Sequence, residues 1–137
     1  MTGTPLRGGC HCGAIRYECA MAASKPAICH CTSCRRTIGA HAVGWVSVKR
    51  SSLRLLQGMP REYASSSAVA RGFCERCGCS LTYTHSKYPD EIDLTIASLD
   101  DPSSVVPTDH IWMSDAPPWD RPGDGLPLHA EWRNAPT

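Results

Sequence analysis

The chain has 137 residues, 42% of them hydrophobic and 20% charged, and a formal net charge of +1. This length and composition predict one globular domain with its own core. The near-neutral charge argues against binding to a nucleic-acid backbone. A membrane helix needs about 20 apolar residues in a row, and no segment approaches that length. The N-terminus lacks the apolar run of a signal peptide, so we expect a cytoplasmic protein.

Short segments with strand character predict a mainly β protein with little helix. Turn signals separate them, the first at Gly8-Gly9 and others at Gly58 and Gly78. One helical turn is predicted, beginning at Thr32 or Ser33, which are good N-capping residues, and ending at Gly39. The predicted strands are, in chain order, Ala14–Cys19, Val43–Val48, Leu53–Leu56, Arg61–Ala64, Ala68–Phe73, Ser80–Thr84 and Glu91–Ile96.

The last part of the chain, from about Asp100 to Thr137, differs in character. Its repeated prolines forbid long regular elements. Residues such as Trp112 and Trp119 make it too apolar for a disordered tail. We therefore predict a single domain over residues 1–137, in which residues 100–137 form an irregular flap over the sheet. Whether the flap is a lid on a pocket or a structural strap stays open at this point.

Nine cysteines are the most informative feature, because eight of them fall into three tight groups. In a reducing compartment such groups indicate metal binding rather than disulfides. Zinc takes four cysteine ligands in a closed structural site, or three ligands plus an open position in a catalytic site. The three groups are Cys10 and Cys12; Cys29, Cys31 and Cys34; and Cys74, Cys77 and Cys79.

The first and third groups together predict a structural zinc site. In extended backbone Cys10 and Cys12 point to the same side, so both sulfurs can reach one ion. Cys74 and Cys77, followed by Gly78, have the spacing of a zinc knuckle, in which a tight turn presents both thiolates. These four cysteines complete a tetrahedral set.

The middle group, Cys29, Cys31 and Cys34, supplies three thiolates for a second ion. Cys79 is a possible fourth ligand that would close this site; without it, the fourth position is open to water or a substrate thiol. We favour the open site. Arg35 and Arg36 could stabilise its negative charge or bind a substrate carboxylate, and one of them could simply lie on a solvated helix face.

The remaining candidate residues are weaker. Cys19 has no neighbouring cysteine, which favours a buried free thiol. His30 lies between two ligands and should face away from the metal by alternation. The isolated histidines are more typical of the surface or of a satisfied core than of a ligand set: His41, His85, His110 and His129.

Together these motifs resemble one known family over nearly the whole chain. They occur in the family's order as Gly9-Cys10-His11-Cys12-Gly13, Cys29-His30-Cys31-Thr32-Ser33-Cys34-Arg35-Arg36, Phe73-Cys74-Glu75-Arg76-Cys77-Gly78, His110-Ile111-Trp112, Pro118-Trp119 and Asp124-Gly125-Leu126-Pro127. The family is that of the glutathione-dependent formaldehyde-activating enzymes (GFA), also called the centromere protein V family.

This resemblance implies an Mss4-like fold of coiled antiparallel sheets with two zinc ions. The structural zinc maps onto Cys10, Cys12, Cys74 and Cys77. The catalytic zinc maps onto Cys29, Cys31 and Cys34. The family's namesake reaction condenses glutathione with formaldehyde to S-(hydroxymethyl)glutathione, and its members are classed as carbon–sulfur lyases. The implied partners are therefore a small thiol and an aldehyde.

A second function remains open on the sequence alone. The chain could be a non-catalytic, zinc-stapled binding module of the Mss4-like type that contacts a protein partner. Closure of the second site by Cys79 would favour this alternative, whereas an open site favours the enzyme.

Overall fold

The computed structural model describes residues 4–20 and 26–133, which form ten strands and one helix. The mainly β class is therefore confirmed. No helix in these ranges is long and apolar enough to cross a membrane. The elements are β1 Leu6–Gly9, β2 Arg16–Cys19, β3 Ala27–Cys29, α1 Thr32–Ile38, β4 Val43–Lys49, β5 Arg54–Gln57, β6 Arg61–Ala64, β7 Val69–Phe73, β8 Ser80–His85, β9 Glu91–Thr95 and β10 Asp109–Ile111.

The strands form two sheets. The smaller has the order β1-β2-β5, and the larger has the order β10-β3-β4-β9-β8-β7-β6. All strand pairs among the described residues are antiparallel except β10–β3, which is parallel. This pair departs from the expected antiparallel sheets. A parallel pair needs a long connection, and here residues 30–108 lie between the two strands.

The seven predicted strands all occur, with ends shifted by at most two residues. The alternation of β4 is explained by burial, because Val46 and Val48 are completely buried, whereas β5 and β6 are exposed at every residue. The sequence did not predict β1, β3 and β10. β3 and β10 have only three residues, which is too short to display a period of two, and β1 contains the Gly8-Gly9 pair that predicted a turn.

The turn predicted at Gly8-Gly9 is wrong, because both glycines lie in β1. A Cβ atom on Gly8 would lie only 2.4 Å from the hydroxyl oxygen of Tyr17. Tyr17 is buried, and its hydroxyl group is 2.7 Å from the Ser98 hydroxyl. Glycine is therefore needed here for close packing against a buried tyrosine.

The buried apolar residues form two clusters, and each contains cysteines. The larger cluster includes Tyr17, Val46 and Leu94, and Cys10 and Cys74 belong to it. The smaller cluster consists of Ala27, Cys29, Cys34, Val43 and Ile111. The middle cysteine group is thus built into a separate core, between β3, β4, α1 and β10.

The predicted C-terminal flap joins the larger sheet instead of only covering it. It contributes β10, and the chain then folds back along that strand. The His110 N–H donates to the Pro127 carbonyl, and the His129 N–H donates to the His110 carbonyl, both at 2.9 Å. Arg133 pairs with the buried Asp109 at 2.6 Å. The last four residues of the predicted flap, 134–137, lie outside the described residues.

We predict that Gly8→Ala lowers the free energy of unfolding by about 1–3 kcal/mol, the usual cost of overpacking a core. The added methyl group would clash with the Tyr17 hydroxyl and with the Ser98 carbonyl oxygen, which lies 2.5 Å away. Urea unfolding measures the effect. Gly123→Ala is the control, because nothing lies within 4 Å of its Cβ position. Equal stability of both variants and the parent would contradict the packing argument.

Candidate metal centres

Four cysteine sulfurs converge at the junction of the two sheets. The Sγ atoms of Cys10, Cys12, Cys74 and Cys77 all lie within 4.8 Å of one another, and we call them the four-sulfur group. The Cys10–Cys12 and Cys12–Cys74 sulfur distances are 3.6 and 3.8 Å. Sulfurs about 2.3 Å from a tetrahedral zinc ion lie about 3.8 Å apart, so the set fits zinc. It is also the set predicted from the sequence.

Two turns present these sulfurs. At the first, the Gly13 N–H donates to the Cys10 carbonyl at 3.2 Å. The backbone around Cys10 and Cys12 is therefore a turn, not the extended segment that the alternation argument assumed. At the second, the Gly78 N–H donates to the Cys74 carbonyl at 2.7 Å, as expected for a knuckle. Gly78 has a φ of 83°, which glycine adopts without strain.

Backbone N–H groups favour the thiolate form of Cys10 and Cys77 in this group. The Ile15 N–H donates to Cys10 Sγ at 3.2 Å. A backbone hydrogen bond from Cys79, followed by one from Cys12, lowers the pKa of Cys77 to about 6. Thiolates are the form in which cysteines bind a metal.

The second site contains three sulfurs. The Sγ atoms of Cys29, Cys31 and Cys34 lie within 4.8 Å of one another, and we call them the three-sulfur group. Cys29 ends β3, Cys31 precedes α1, and Cys34 is in the first turn of α1. Among the described residues, no other cysteine, histidine or carboxylate completes this set.

The sulfur of Cys31 also caps α1, accepting a hydrogen bond from the Cys34 N–H at 3.2 Å. The predicted start of the helix is confirmed, because α1 begins at Thr32, but the N-cap is Cys31 and not Thr32 or Ser33. The end of the helix at Gly39 is confirmed, with a φ of 77°. Hydrogen bonds from Cys29 and Cys34 lower the pKa of the Cys31 thiol to about 2, while the pKa of Cys29 is raised by its interaction with Cys31.

Cys79, the possible fourth ligand, is not brought to the three-sulfur group. Its carbonyl accepts the Cys74 N–H at 2.9 Å, which holds it at the knuckle. Its thiol donates to the Ser80 carbonyl at 3.7 Å, and it packs against the larger core cluster. Cys19 is buried as predicted, and burial raises its pKa to about 11, so it remains a thiol.

A buried arginine that the sequence did not reveal lies beside the three-sulfur group. Arg71 in β7 is only 6% exposed, and both of its terminal nitrogens are 3.9 Å from Cys34 Sγ. Its Nε donates to the Ser65 hydroxyl at 3.0 Å, and its guanidinium group lies 5.0 Å from the centre of the Tyr83 ring. No carboxylate of the described ranges forms an ion pair with it.

A buried guanidinium group needs a nearby anion. Three thiolates on a divalent cation carry a net charge of minus one, which suits Arg71. The donor set and its charge environment therefore both fit a zinc ion held by the three-sulfur group. The only sequence signal for this role was a charged residue inside an otherwise small and apolar strand.

The two arginines predicted for substrate binding lie on α1. Arg36 is exposed, whereas Arg35 is half-buried with a buried Nε that lacks a hydrogen-bond partner. In the described structure, neither makes a hydrogen bond to the cysteine sulfurs. A role in substrate binding remains a prediction for both.

His30 and His110 belong to a buried hydrogen-bonded chain instead of a ligand set. Nδ1 of His30 lies 2.6 Å from Asp120 Oδ2, and its Nε2 lies 2.8 Å from Nδ1 of His110. Nε2 of His110 lies 2.8 Å from Asp124 Oδ2, and this hydrogen bond lowers the pKa of Asp124. The prediction that His30 faces away from the metal is consistent with these contacts. Its partners lie 80 and 90 positions away, so no sequence spacing indicated them.

Known proteins match this combination of a mainly β fold with two zinc-type cysteine groups. Residues 5–115 match the model of the glutathione-dependent formaldehyde-activating enzyme family (GFA). The chain belongs to that family, and its Mss4-like fold is confirmed.

Three proteins of known sequence or structure are similar to this chain. An uncharacterized lyase of Schizosaccharomyces pombe is 32% identical over 84 residues, 60% of this chain and 61% of that protein, so the chain matches less than two thirds of its length. A putative glutathione-dependent formaldehyde-activating enzyme of Halomonas elongata is 25% identical over 125 residues, 83% of this chain and 78% of that protein. A crystal structure of a Rhodobacter sphaeroides protein superposes with a TM-score of 0.60 at 25% identity, covering 72% of this chain and 93% of that one.

We predict different effects of serine substitutions in the two groups. Cys74→Ser should abolish cooperative unfolding, because the four-sulfur group joins segments 62 residues apart and a zinc ion bound there would stabilise the fold. Cys31→Ser should lose only the second metal ion and leave the fold intact. Circular dichroism during heating, together with metal analysis, measures both. If Cys31→Ser destabilised the fold as much as Cys74→Ser, both groups would have a structural role.

We also predict that Arg71→Met weakens metal retention by the three-sulfur group by about tenfold or more, in the range known for residues that contact metal ligands. The substitution removes the cation nearest Cys34 and keeps a long apolar side chain. Arg71→Lys should lie between the parent and Arg71→Met. Competition with a chromogenic chelator measures retention, and the exposed Arg54→Met is the control. Unchanged retention in Arg71→Met would exclude the electrostatic role.

Proposed function

We propose that the protein is a zinc-dependent enzyme of the carbon–sulfur lyase type that handles thiol adducts. The favoured reaction joins glutathione and formaldehyde to S-(hydroxymethyl)glutathione, or forms or cleaves a related adduct. The observation that supports this most is the three-sulfur group, in which Cys29, Cys31 and Cys34 have no fourth protein ligand among the described residues. Three ligands with one open position are typical of catalytic zinc.

The residues of the site have distinct roles in this proposal. Cys29, Cys31 and Cys34 hold the zinc ion, which when bound supplies a Lewis acid that favours the thiolate form of a substrate thiol. Cys29 and Cys34 are buried and fix the position of the site, whereas Cys31 is half-buried and gives access from solvent. Arg71 balances the negative charge of the three sulfurs. Arg36, exposed on α1, is available to a substrate carboxylate.

The chemical change is an addition to a carbonyl group. A bond forms between the thiol sulfur and the aldehyde carbon, the carbonyl π bond becomes a lone pair on oxygen, and the thiol proton ends on that oxygen. The reverse reaction cleaves the carbon–sulfur bond. The names of the Halomonas elongata and Schizosaccharomyces pombe relatives support this reaction class. Dependence on reduced cysteines also favours the cytoplasm as its location.

One observation favours the second candidate, a non-catalytic binding module. A cavity of about 10 Å³ beside the smaller core cluster, lined in part by Ile38, Trp45 and Arg71, has room for roughly one water molecule. This cavity is too small for a substrate, which is why it favours the binding module. If the protein is an enzyme, its substrate must approach over the surface near Cys31.

We predict that the zinc-loaded protein accelerates exchange between glutathione, formaldehyde and their adduct. Exchange NMR at equilibrium measures the rate above the uncatalysed background. Cys31→Ser should reduce the rate to that background, because it removes a ligand of the three-sulfur group. Cys79→Ser is the matched control and should retain both activity and metal content. A parent rate equal to the protein-free rate, for glutathione and for other small thiols, would support the binding module instead.

A further inference from the structure

A chain of hydrogen bonds, Asp120–His30–His110–Asp124, connects residues 109–133, which we call the C-terminal segment, to residues 29–32, which we call the ligand loop. We call this the histidine chain; its first three members are buried and Asp124 is exposed. His30 lies between Cys29 and Cys31 in sequence. Asp120, His110 and Asp124 all come from the C-terminal segment. We infer that the histidine chain is a positioning device for the three-sulfur group, an inference that rests on the proposed metal ion at that group.

The C-terminal segment holds the ligand loop on both sides of Cys31. Before it, the His30 N–H donates to the Ile111 carbonyl at 3.0 Å. After it, the Thr32 N–H donates to Asp115 Oδ2 at 3.1 Å. Cys29 itself pairs with Ile111 in the parallel β3–β10 ladder. The backbone that sets the spacing of the sulfurs is therefore fixed by residues about 80 positions later in the chain.

The His30 ring is the central element of this arrangement. It is 1% exposed, and hydrogen bonds at both of its nitrogens prevent the ring from rotating. Because the ring cannot turn, the backbone of the Cys29-His30-Cys31 segment cannot adjust freely either. His110 and Asp120 are also buried, at 3% and 8% exposed. Loss of one partner would leave a buried polar atom unsatisfied and release the ring.

The histidine chain is a continuous run of three hydrogen bonds of 2.6, 2.8 and 2.8 Å, with a carboxylate at each end. Both nitrogens of each ring have a partner within the chain. The chain is therefore a stiff connection rather than a loose contact.

The histidine chain acts through the ligand loop and does not contact substrate in this account. Its residues are positioning residues for the metal ligands, as outer partners of metal ligands are in many proteins. A second anchor of the same segment offers a comparison. Arg133 pairs with Asp109 at 2.6 Å, and neither residue belongs to the histidine chain. Loss of this ion pair should loosen the segment without releasing the His30 ring.

The test uses the full chain loaded with Co²⁺, whose absorption bands report the geometry and the number of thiolate ligands. Three variants are compared with the parent: Asp120→Ala, which removes the partner of His30; Asp120→Asn, which keeps an oxygen acceptor; and Arg133→Gln, the control for general loosening. Urea unfolding gives the stability of each. Chelator competition gives metal retention, with the four-sulfur group as an internal reference in every sample.

We expect Asp120→Ala to weaken retention by the three-sulfur group by about 10- to 100-fold and to shift its Co²⁺ bands. Retention by the four-sulfur group should not change. Asp120→Asn should recover most of the loss, because its amide oxygen can accept the His30 Nδ1–H. Arg133→Gln should lower stability while leaving the Co²⁺ bands of the three-sulfur group unchanged.

Two outcomes would overturn the inference while leaving the proposed function intact. One is parent-like retention and spectrum in Asp120→Ala. The other is an equal change in Arg133→Gln at equal loss of stability, which would mean that the segment acts only through general stability. A parent that holds no second ion would overturn both the inference and the proposed function. A parent that holds the ion in the predicted manner but catalyses no exchange would overturn only the proposed function.

Discussion

The convergence of four sulfurs at the junction of the two sheets is the interaction on which the rest of the structure depends. Cys10 follows β1 in the smaller sheet, and Cys74 follows β7 in the larger one. Closing a chain segment of 62 residues costs about 4 kcal/mol in entropy. A structural zinc ion in comparable peptides contributes about 10–16 kcal/mol. One ion bound there can therefore hold the two sheets together beside the larger core that they share.

The three-sulfur group differs from the four-sulfur group in how far apart its cysteines lie in the sequence. Its ligands lie within six residues of one another, so holding them together requires little chain closure. The fold instead supplies the charged surroundings of these sulfurs, because the guanidinium group of Arg71 in β7 balances their negative charge. The C-terminal segment fixes the loop through β10 and the His30 ring. The four-sulfur group joins distant segments, which agrees with a structural role. The three-sulfur group is supported by distant segments, which agrees with a reactive role.

The sequence predicted most features that depend on neighbouring residues and few of the contacts between residues far apart in the chain. Cysteine spacing predicted both cysteine groups that the structure brings together, because their members lie within a few residues of a turn or helix end. Alternation and turn signals predicted seven of the strands. The reason offered for Cys10 and Cys12 was nevertheless wrong, since the chain turns there. Gly8 looked like a turn residue but serves close packing with Tyr17. Arg71 and Cys34 are 37 positions apart, and His30 and Asp120 are 90 positions apart. Only tertiary folding brings these pairs together.

A metal ion on Cys29, Cys31 and Cys34 should keep one position for an incoming thiol. X-ray absorption spectroscopy at the zinc edge of the two-zinc protein, with and without glutathione, measures whether this position exists. We expect a mean sulfur count per zinc below four in the free protein, rising to four when glutathione is added. A count of four in the free protein, unchanged by glutathione, would contradict it.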